Sequence, residues 1–208
     1  MKKVDIETFF ARLAALNPNP KCELDYTNPY TLMVAIILSA QATDKGVNKA
    51  TPALFAIADT PEKMLALGEE GLKKYIKTIG LFNNKAKNII AMSSEILKDF
   101  GGELPRDRSK LETLSGVGRK SANVFLNVIY NEPFIAVDTH VFRVSNRTKL
   151  ATGKTPLEVE AELEKVVPNK YKTGASHWLV LHGRYTCTAK NPKCATCPVA
   201  DLCAHNFT

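Results

Sequence analysis

Three places along the chain concentrate side chains that could do chemistry. The densest is near the C-terminal end, where Cys187, Cys194, Cys197 and Cys203 follow the spacing C-x6-C-x2-C-x5-C. Four thiolates drawn from 17 residues can surround one tetrahedral zinc or one cubane iron–sulfur cluster. The spacing lacks the paired C-x2-C of a zinc ribbon and differs from the C-x2-C-x2-C-x3-C run of a ferredoxin, so geometry leaves the metal open. Two disulfides are the competing reading. They suit a reducing compartment poorly, and the fifth cysteine, Cys22, makes the count odd and reads as a free packed thiol. His205 is the one histidine near enough in sequence to replace a thiolate; His177 and His182 read as packing or surface residues.

The second place is Leu114-Ser115-Gly116-Val117-Gly118-Arg119-Lys120. Two glycines one residue apart permit a tight turn that leaves backbone N–H groups bare, and the helix N-terminus that follows adds positive potential. Together these suit a DNA phosphate, held without base information. An ordinary glycine-containing αα-hairpin is the plainer alternative. Lys120 follows at once. A lysine amine is a nucleophile able to form a Schiff base with an aldehyde-level carbon, which a water nucleophile cannot do. The third place is Asp138, just before a helical pattern that opens at Thr139. There it is a plausible N-cap whose carboxylate the helix terminus favours as an anion. Read blandly, Lys120 is a solvated surface lysine and Asp138 only a cap.

Positioning these groups falls to helices. Residues 4–16 carry Val4, Ile6, Phe9, Phe10, Leu13 and Leu16 at helical spacings before Pro18 and Pro20 stop the pattern. Asn28-Pro29 reads as a cap and first-turn proline opening an apolar, hence buried, helix through about Thr43. Further starts fall at Thr60-Pro61, at Asn83 and at Thr155-Pro156, where Glu158 completes a capping-box pattern. Gly80 and Gly101 read as helix terminators. Residues 84–99, 119–130, 139–150 and 171–185 keep the 3.6-residue period, and Phe134–Val137 reads as an extended connector without a partner strand. The fold class is therefore all-α.

Charge narrows the partners. The 208 residues carry 28 Lys and Arg against 21 Asp and Glu, a net +7 that favours an anionic partner such as nucleic acid. The longest apolar run, Leu32 to Leu38, has seven residues, too short to cross a bilayer. Met1-Lys2-Lys3 is followed by Asp5 and Glu7 and not by the apolar core of a signal peptide, which makes the cytoplasm the default location. The loop between Cys187 and Cys194 carries Lys190 and Lys193, with Arg184 just upstream. These form a basic phosphate-contacting loop or, alternatively, solubility charges.

These segments together resemble the endonuclease III family of the helix-hairpin-helix DNA glycosylase superfamily, and the similarity runs through nearly the whole chain. It is carried by Leu114–Lys120, by Val137-Asp138-Thr139-His140, by Leu38-Ser39-Ala40-Gln41-Ala42-Thr43-Asp44, by Ile79-Gly80-Leu81-Phe82-Asn83, by Trp178-Leu179-Val180-Leu181-His182-Gly183-Arg184, and by the cysteine spacing. Ser115 departs from the proline usual there, which softens the turn by about 0.4–1 kcal/mol through unfolded-state entropy and leaves the glycine N–H groups available. The resemblance implies Lys120 as nucleophile, Asp138 as its carboxylate partner, and a [4Fe–4S] cluster on the four cysteines. It implies that Gln41 and Leu81 enter the space vacated by the flipped nucleotide, and that Ser39, Asp44 and His140 line the pocket. For Leu81 a helix-end hydrophobic contact competes with the wedge role, and Asp44 equally suits a cap. Gly116, Gly118 and Arg119 would hold DNA.

The expected architecture is two helical lobes with DNA in the cleft between them. One spans residues 22–133 with the hairpin; the other combines 1–21 with 134–208 and the cluster loop, so that Lys120 and Asp138 flank the boundary. The expected function is removal of oxidised pyrimidines from duplex DNA followed by lyase cleavage at the abasic site, by a monomer needing no membrane. Two rivals remain. A non-catalytic DNA-binding module with a structural metal would make Lys120 and Asp138 incidental. An adenine mismatch glycosylase is disfavoured by the lysine nucleophile and by a chain that ends five residues after Cys203.

Overall fold

The computed structural model describes residues 3–204. Among them are ten α-helices and no strand. The helices are α1 (Lys3–Leu16), α2 (Pro29–Ser39), α3 (Asp44–Phe55), α4 (Pro61–Ile76), α5 (Phe82–Phe100), α6 (Arg108–Leu111), α7 (Arg119–Tyr130), α8 (Thr139–Thr148), α9 (Pro156–Val166) and α10 (Asn169–Tyr185). Two 3-10 turns, Cys194–Thr196 and Ala200–Leu202, are the only regular structure described after α10. No helix among the described residues is long and apolar enough to cross a membrane. The chain divides into two compact units: residues up to Cys22 together with those from Asn131 onward, and Glu23–Tyr130. His205 lies outside the described residues.

The Glu23–Tyr130 unit is built around α2. Asn28 caps it, accepting from Thr31 N–H while the Thr31 side chain bonds back to the cap, and Pro29 fills the first turn. Every residue from Tyr30 to Leu38 is buried, because α3, α5 and α7 all pack on this helix. It stops at Ser39, four residues short of the expected Thr43, because Gln41 turns the chain at φ 54°. The next helix is capped by Thr43, whose side chain accepts from Gly46 N–H, which leaves Asp44 as the first helical residue and not the cap. α5 starts at Phe82 and not at Asn83. Its cap is Leu81 at φ 60°, with no side-chain cap bond. Gly80 does not terminate α4, whose C-cap is Lys77, whereas Gly101 at φ 64° does end α5.

In the other unit Phe9, Phe10 and Leu13 of α1 close onto Val141 and Val144 of α8, Val159 and Leu163 of α9, and Trp178 and Leu179 of α10. Phe10 stacks on Tyr171 with ring centroids 5.7 Å apart, and Trp178 Nε1 donates to Asn17 O at 2.8 Å, fixing the end of α1. Thr155 caps α9, but the Glu158 carboxylate accepts from Lys154 N–H at 2.7 Å, so the expected capping box is shifted by one residue.

Candidate functional site

The hairpin joins α6 to α7. Val117 N–H donates to Leu114 O, and Ala122 N–H donates to Gly118 O, each at 3.0 Å, so Gly118 stands at the mouth of α7. Gly116 holds φ 80°, and a Cβ there would lie 2.9 Å from Asn88 Cβ; any side chain would be both strained and obstructed. Gly118 faces open space. Both glycines are exposed and neither N–H enters the turn's hydrogen bonds, which leaves them available to an outside acceptor. Arg119 and Lys120 form the first turn of α7. Arg119 is half-buried and Lys120 exposed, while Ala122, Phe125 and Leu126 bury the opposite face.

Asp138 belongs to the other unit and is the N-cap of α8. A single oxygen, Oδ1, accepts from His140 N–H at 2.9 Å and from Val141 N–H at 2.8 Å, and Oδ2 accepts no hydrogen bond among the described residues. The carboxylate is thus held by one atom and available at the other. His140 sits two residues on, in the first turn of α8, its Nδ1 3.2 Å from Arg143 Nη2, at a close approach where a Cβ on Gly183 would lie 2.9 Å from His140 Cβ.

Gln41 and Leu81 come from separate turns of the Glu23–Tyr130 unit, both left-handed at φ 54° and 60°. Gln41 is exposed and Leu81 is 56% exposed, so the competing reading of Leu81 as a packed helix-end contact does not hold. The two turns touch: a Cβ on Gly80 would lie 4.0 Å from Gln41 O. They are pinned by Lys85 of α5, only 4% exposed, whose ammonium donates to Leu38 O at 2.9 Å. Burial pushes this amine below its ordinary pKa. Ser39 spends its hydroxyl proton on Ile36 O at 2.8 Å, and Asp44 is half-buried at the start of α3.

All five cysteines are free, which removes the disulfide reading. Cys187, Cys194, Cys197 and Cys203 are half-buried and line one cavity of about 440 Å³, counting its open mouth, together with Arg147, His182 and Val199. Burial pushes the Cys197 thiol up, and Cys187, Cys203 and Cys194 push it the same way, as expected for thiols facing a shared space. Among the described residues no three His, Cys, Asp or Glu side chains gather about a single ion. Four soft sulfur donors lining a common cavity suit an iron–sulfur cluster.

Two arginines hold this loop. Arg147 donates to Thr188 O at 2.7 Å and Ala189 O at 2.9 Å and lies 3.7 Å from Cys187 Sγ. Arg143 donates to Cys187 O at 3.0 Å and Gly183 O at 2.6 Å. His182 Nε2 stands 3.7 Å from Cys197 Sγ, and burial pushes this histidine down to about 4. Sequence reasoning missed Arg143, Arg147 and Lys85 and left His182 unassigned. The (i, i+4) arginine pair one turn beyond Asp138 was a visible signal, whereas Lys85 looks like any lysine of a polar stretch. Arg184 lies half-buried in the last turn of α10, and Lys190 and Lys193 are exposed on the loop itself.

A glycine hairpin opening a lysine-bearing helix, joined in one all-α chain to a four-thiol cage, defines a class of DNA-repair protein. Residues 34–169 match the family model of the HhH-GPD superfamily base excision DNA repair protein. Residues 187–203 match the iron–sulfur binding domain of endonuclease III. The chain is 55% identical to endonuclease III of Haemophilus influenzae over 98% of its own length and 95% of that protein. To endonuclease III of Escherichia coli K12 it is 53% identical with the same coverage. A solved structure of a trapped endonuclease III–DNA covalent intermediate matches with a TM-score of 0.93 at 41% identity, over 98% of this chain and 96% of that one. This chain belongs to the endonuclease III family, and its cofactor is a [4Fe–4S] cluster.

Proposed function

We propose that this chain removes oxidised pyrimidines from duplex DNA and then cuts the strand at the abasic site it has made. DNA glycosylase and abasic-site lyase are the activities of its family. The observation that carries the proposal is Lys120, an exposed primary amine in the first turn of α7, directly after a hairpin with two free glycine N–H groups.

The Lys120 amine forms a bond to C1′ as the damaged base leaves with the glycosidic electron pair. Loss of the amine proton and opening of the sugar ring yield a protonated Schiff base. Removal of the C2′ proton then drives electrons toward the iminium and expels the 3′ phosphate. Asp138, through its unbonded Oδ2, serves as proton acceptor and stabilises the cationic sugar. Gly116, Gly118 and Arg119 hold a backbone phosphate. Gln41 and Leu81 fill the space left by the flipped nucleotide, and Ser39, Asp44 and His140 contact the extruded base or sugar. Cys187, Cys194, Cys197 and Cys203 ligate the cluster. When bound, it supplies a rigid cross-link and no chemistry at the sugar. The loop it stiffens presents Lys190 and Lys193, beside Arg184, to further phosphates. The enzyme works in the cytoplasm as a single chain, because a clamp on continuous duplex needs no second copy.

The test is borohydride trapping on a duplex with one thymine glycol. Wild-type protein is expected to give a covalent adduct on a denaturing gel, and Lys120→Ala to lose adduct and strand cleavage by at least about a thousandfold while still binding duplex. Strand cleavage surviving in purified Lys120→Ala sinks the mechanism. A cluster-loaded wild type that binds the duplex yet forms no adduct is instead a monofunctional glycosylase or a DNA-binding module with a structural metal site.

A further inference from the structure

The hairpin is seated on side chains from one face of α5. Asn88 underlies Gly116, and seven residues further on, two helical turns, Glu95 reaches Ser115. Glu95 engages Ser115 twice: Oε2 accepts from Ser115 N–H at 2.7 Å and Oε1 from Ser115 Oγ at 2.6 Å. Both residues are half-buried and lie 20 positions apart in sequence. A carboxylate next to a phosphate-gripping turn repels the very ligand the turn is built to hold, so electrostatics alone argues against an acid here. Its presence needs a geometric reason, and the paired contacts supply one. Serine at position 115 has an N–H that must be satisfied and, having no ring, a φ that is not covalently fixed. The proline expected from the family resemblance has no N–H and a fixed φ.

We propose that Glu95 is a positioning residue for the hairpin. Its two-point clasp on Ser115 holds the turn so that Gly116 and Gly118 N–H groups and the start of α7 stay in their phosphate-binding disposition. The clasp does through two charge-assisted hydrogen bonds what a proline ring does covalently. The inference rests on the reading above that this hairpin grips DNA.

The experiment uses cluster-loaded full-length protein and a duplex with one abasic site, measuring lyase kcat and KM separately. Glu95→Ala, which removes both hydrogen bonds to the carboxylate, is expected to raise KM by at least about tenfold, with kcat changed less. Glu95→Gln, which can still accept from Ser115 N–H and donate to Oγ, is expected to stay within about threefold of wild type. The decisive variant is Glu95→Ala combined with Ser115→Pro, expected to recover most of the lost affinity because proline needs no clasp. Equal impairment of that double variant and Glu95→Ala overturns the proposal, as does Glu95→Ala kinetics equal to wild type. Should Glu95→Ala fail to fold, amide exchange in the wild type still decides: a slowly exchanging Ser115 N–H supports the clasp and a freely exchanging one refutes it. A wild type that forms no borohydride adduct with this duplex overturns the parent reading instead, so the two failures are separable.

Discussion

The hairpin and the cysteine loop both present positive groups outward, yet they are held by opposite means. The hairpin is short and locked by regular structure: α7 begins inside it, Gly116 presses on Asn88 of α5, and Glu95 takes both polar groups of Ser115. The cysteine loop has only two 3-10 turns and little apolar burial of its own, Val199 being its fully buried side chain. What holds it is polar and external: Arg143 and Arg147 on its carbonyls, Arg12 on Asp201 and Pro198, and, on the reading proposed above, the cluster on its thiols. A segment too small to build a core needs a covalent or metal staple, whereas one resting on a core needs only the right backbone. The difference predicts where each will break.

The largest effect is expected from removing the staple. Cys197→Ser should lose visible iron–sulfur absorbance, open the loop after α10 to protease, and lower the melting midpoint by about 10 °C, equivalent to about 3–5 kcal/mol at this chain length. Amide exchange within Glu23–Tyr130 should change little. Loss of protection at the hairpin as well would show that the two regions are not independently supported. Next in size is a pair of glycine substitutions inside the hairpin. Gly116→Ala should destabilise by about 1–3 kcal/mol, from its φ of 80° and the 2.9 Å approach to Asn88. Gly118→Ala meets nothing within 4 Å and should alter stability by no more than about 0.5 kcal/mol. Chemical denaturation of both variants checks this, and equal destabilisation would mean the seat on Asn88 does not matter. Any weakening of abasic-duplex binding by Gly118→Ala then reports on the phosphate contact alone.

Much of this arrangement was legible because it rests on local rules. Asn28-Pro29, Thr60-Pro61 and Thr155-Pro156 announced α2, α4 and α9 through capping chemistry that acts within four residues, and the Gly116/Gly118 pair announced the hairpin in the same way. Asp138 was legible as a cap for the same reason. The end of α2 was not, because Ala40 continues the apolar pattern and the turn is made by Gln41, a residue with no local signature for φ 54°. Leu81 misled in the same manner at the start of α5. Least legible were the long-range polar contacts: Lys85 to Leu38 spans 47 residues, Arg143 to Cys187 spans 44, and Glu95 to Ser115 spans 20. Each depends on which helix faces meet, information no local pattern carries. They are also the contacts that aim the functional loops, so the sequence named the chemical groups more readily than the residues that hold them in place.

The smallest effect concerns acid, and it separates the two regions once more. All four histidines fall at position 140 or beyond, so Glu23–Tyr130 contains none. Burial pushes His177 of α10 below its ordinary pKa. A base whose folded pKa is depressed is neutral in the folded chain while the unfolded chain binds a proton. Its stabilising contribution is therefore complete above the unfolded value, near 6.5, and declines as pH falls below it toward the folded value. The loss is at most about 1.4 kcal/mol per pH unit for one histidine. Between pH 7.5 and 5.5, above the range where most carboxylates titrate, the unit bearing α10 should lose stability on this account. His177→Gln should remove that portion of the slope. Site-resolved amide exchange at the two pH values, corrected for intrinsic rates, checks both halves of the expectation. Acid sensitivity confined to Glu23–Tyr130, or unchanged in His177→Gln, would place its origin elsewhere. A slope flattened in α10 alone would show that the helix leading into the cysteine loop carries a proton-linked weakness that the hairpin unit, lacking histidine, does not share.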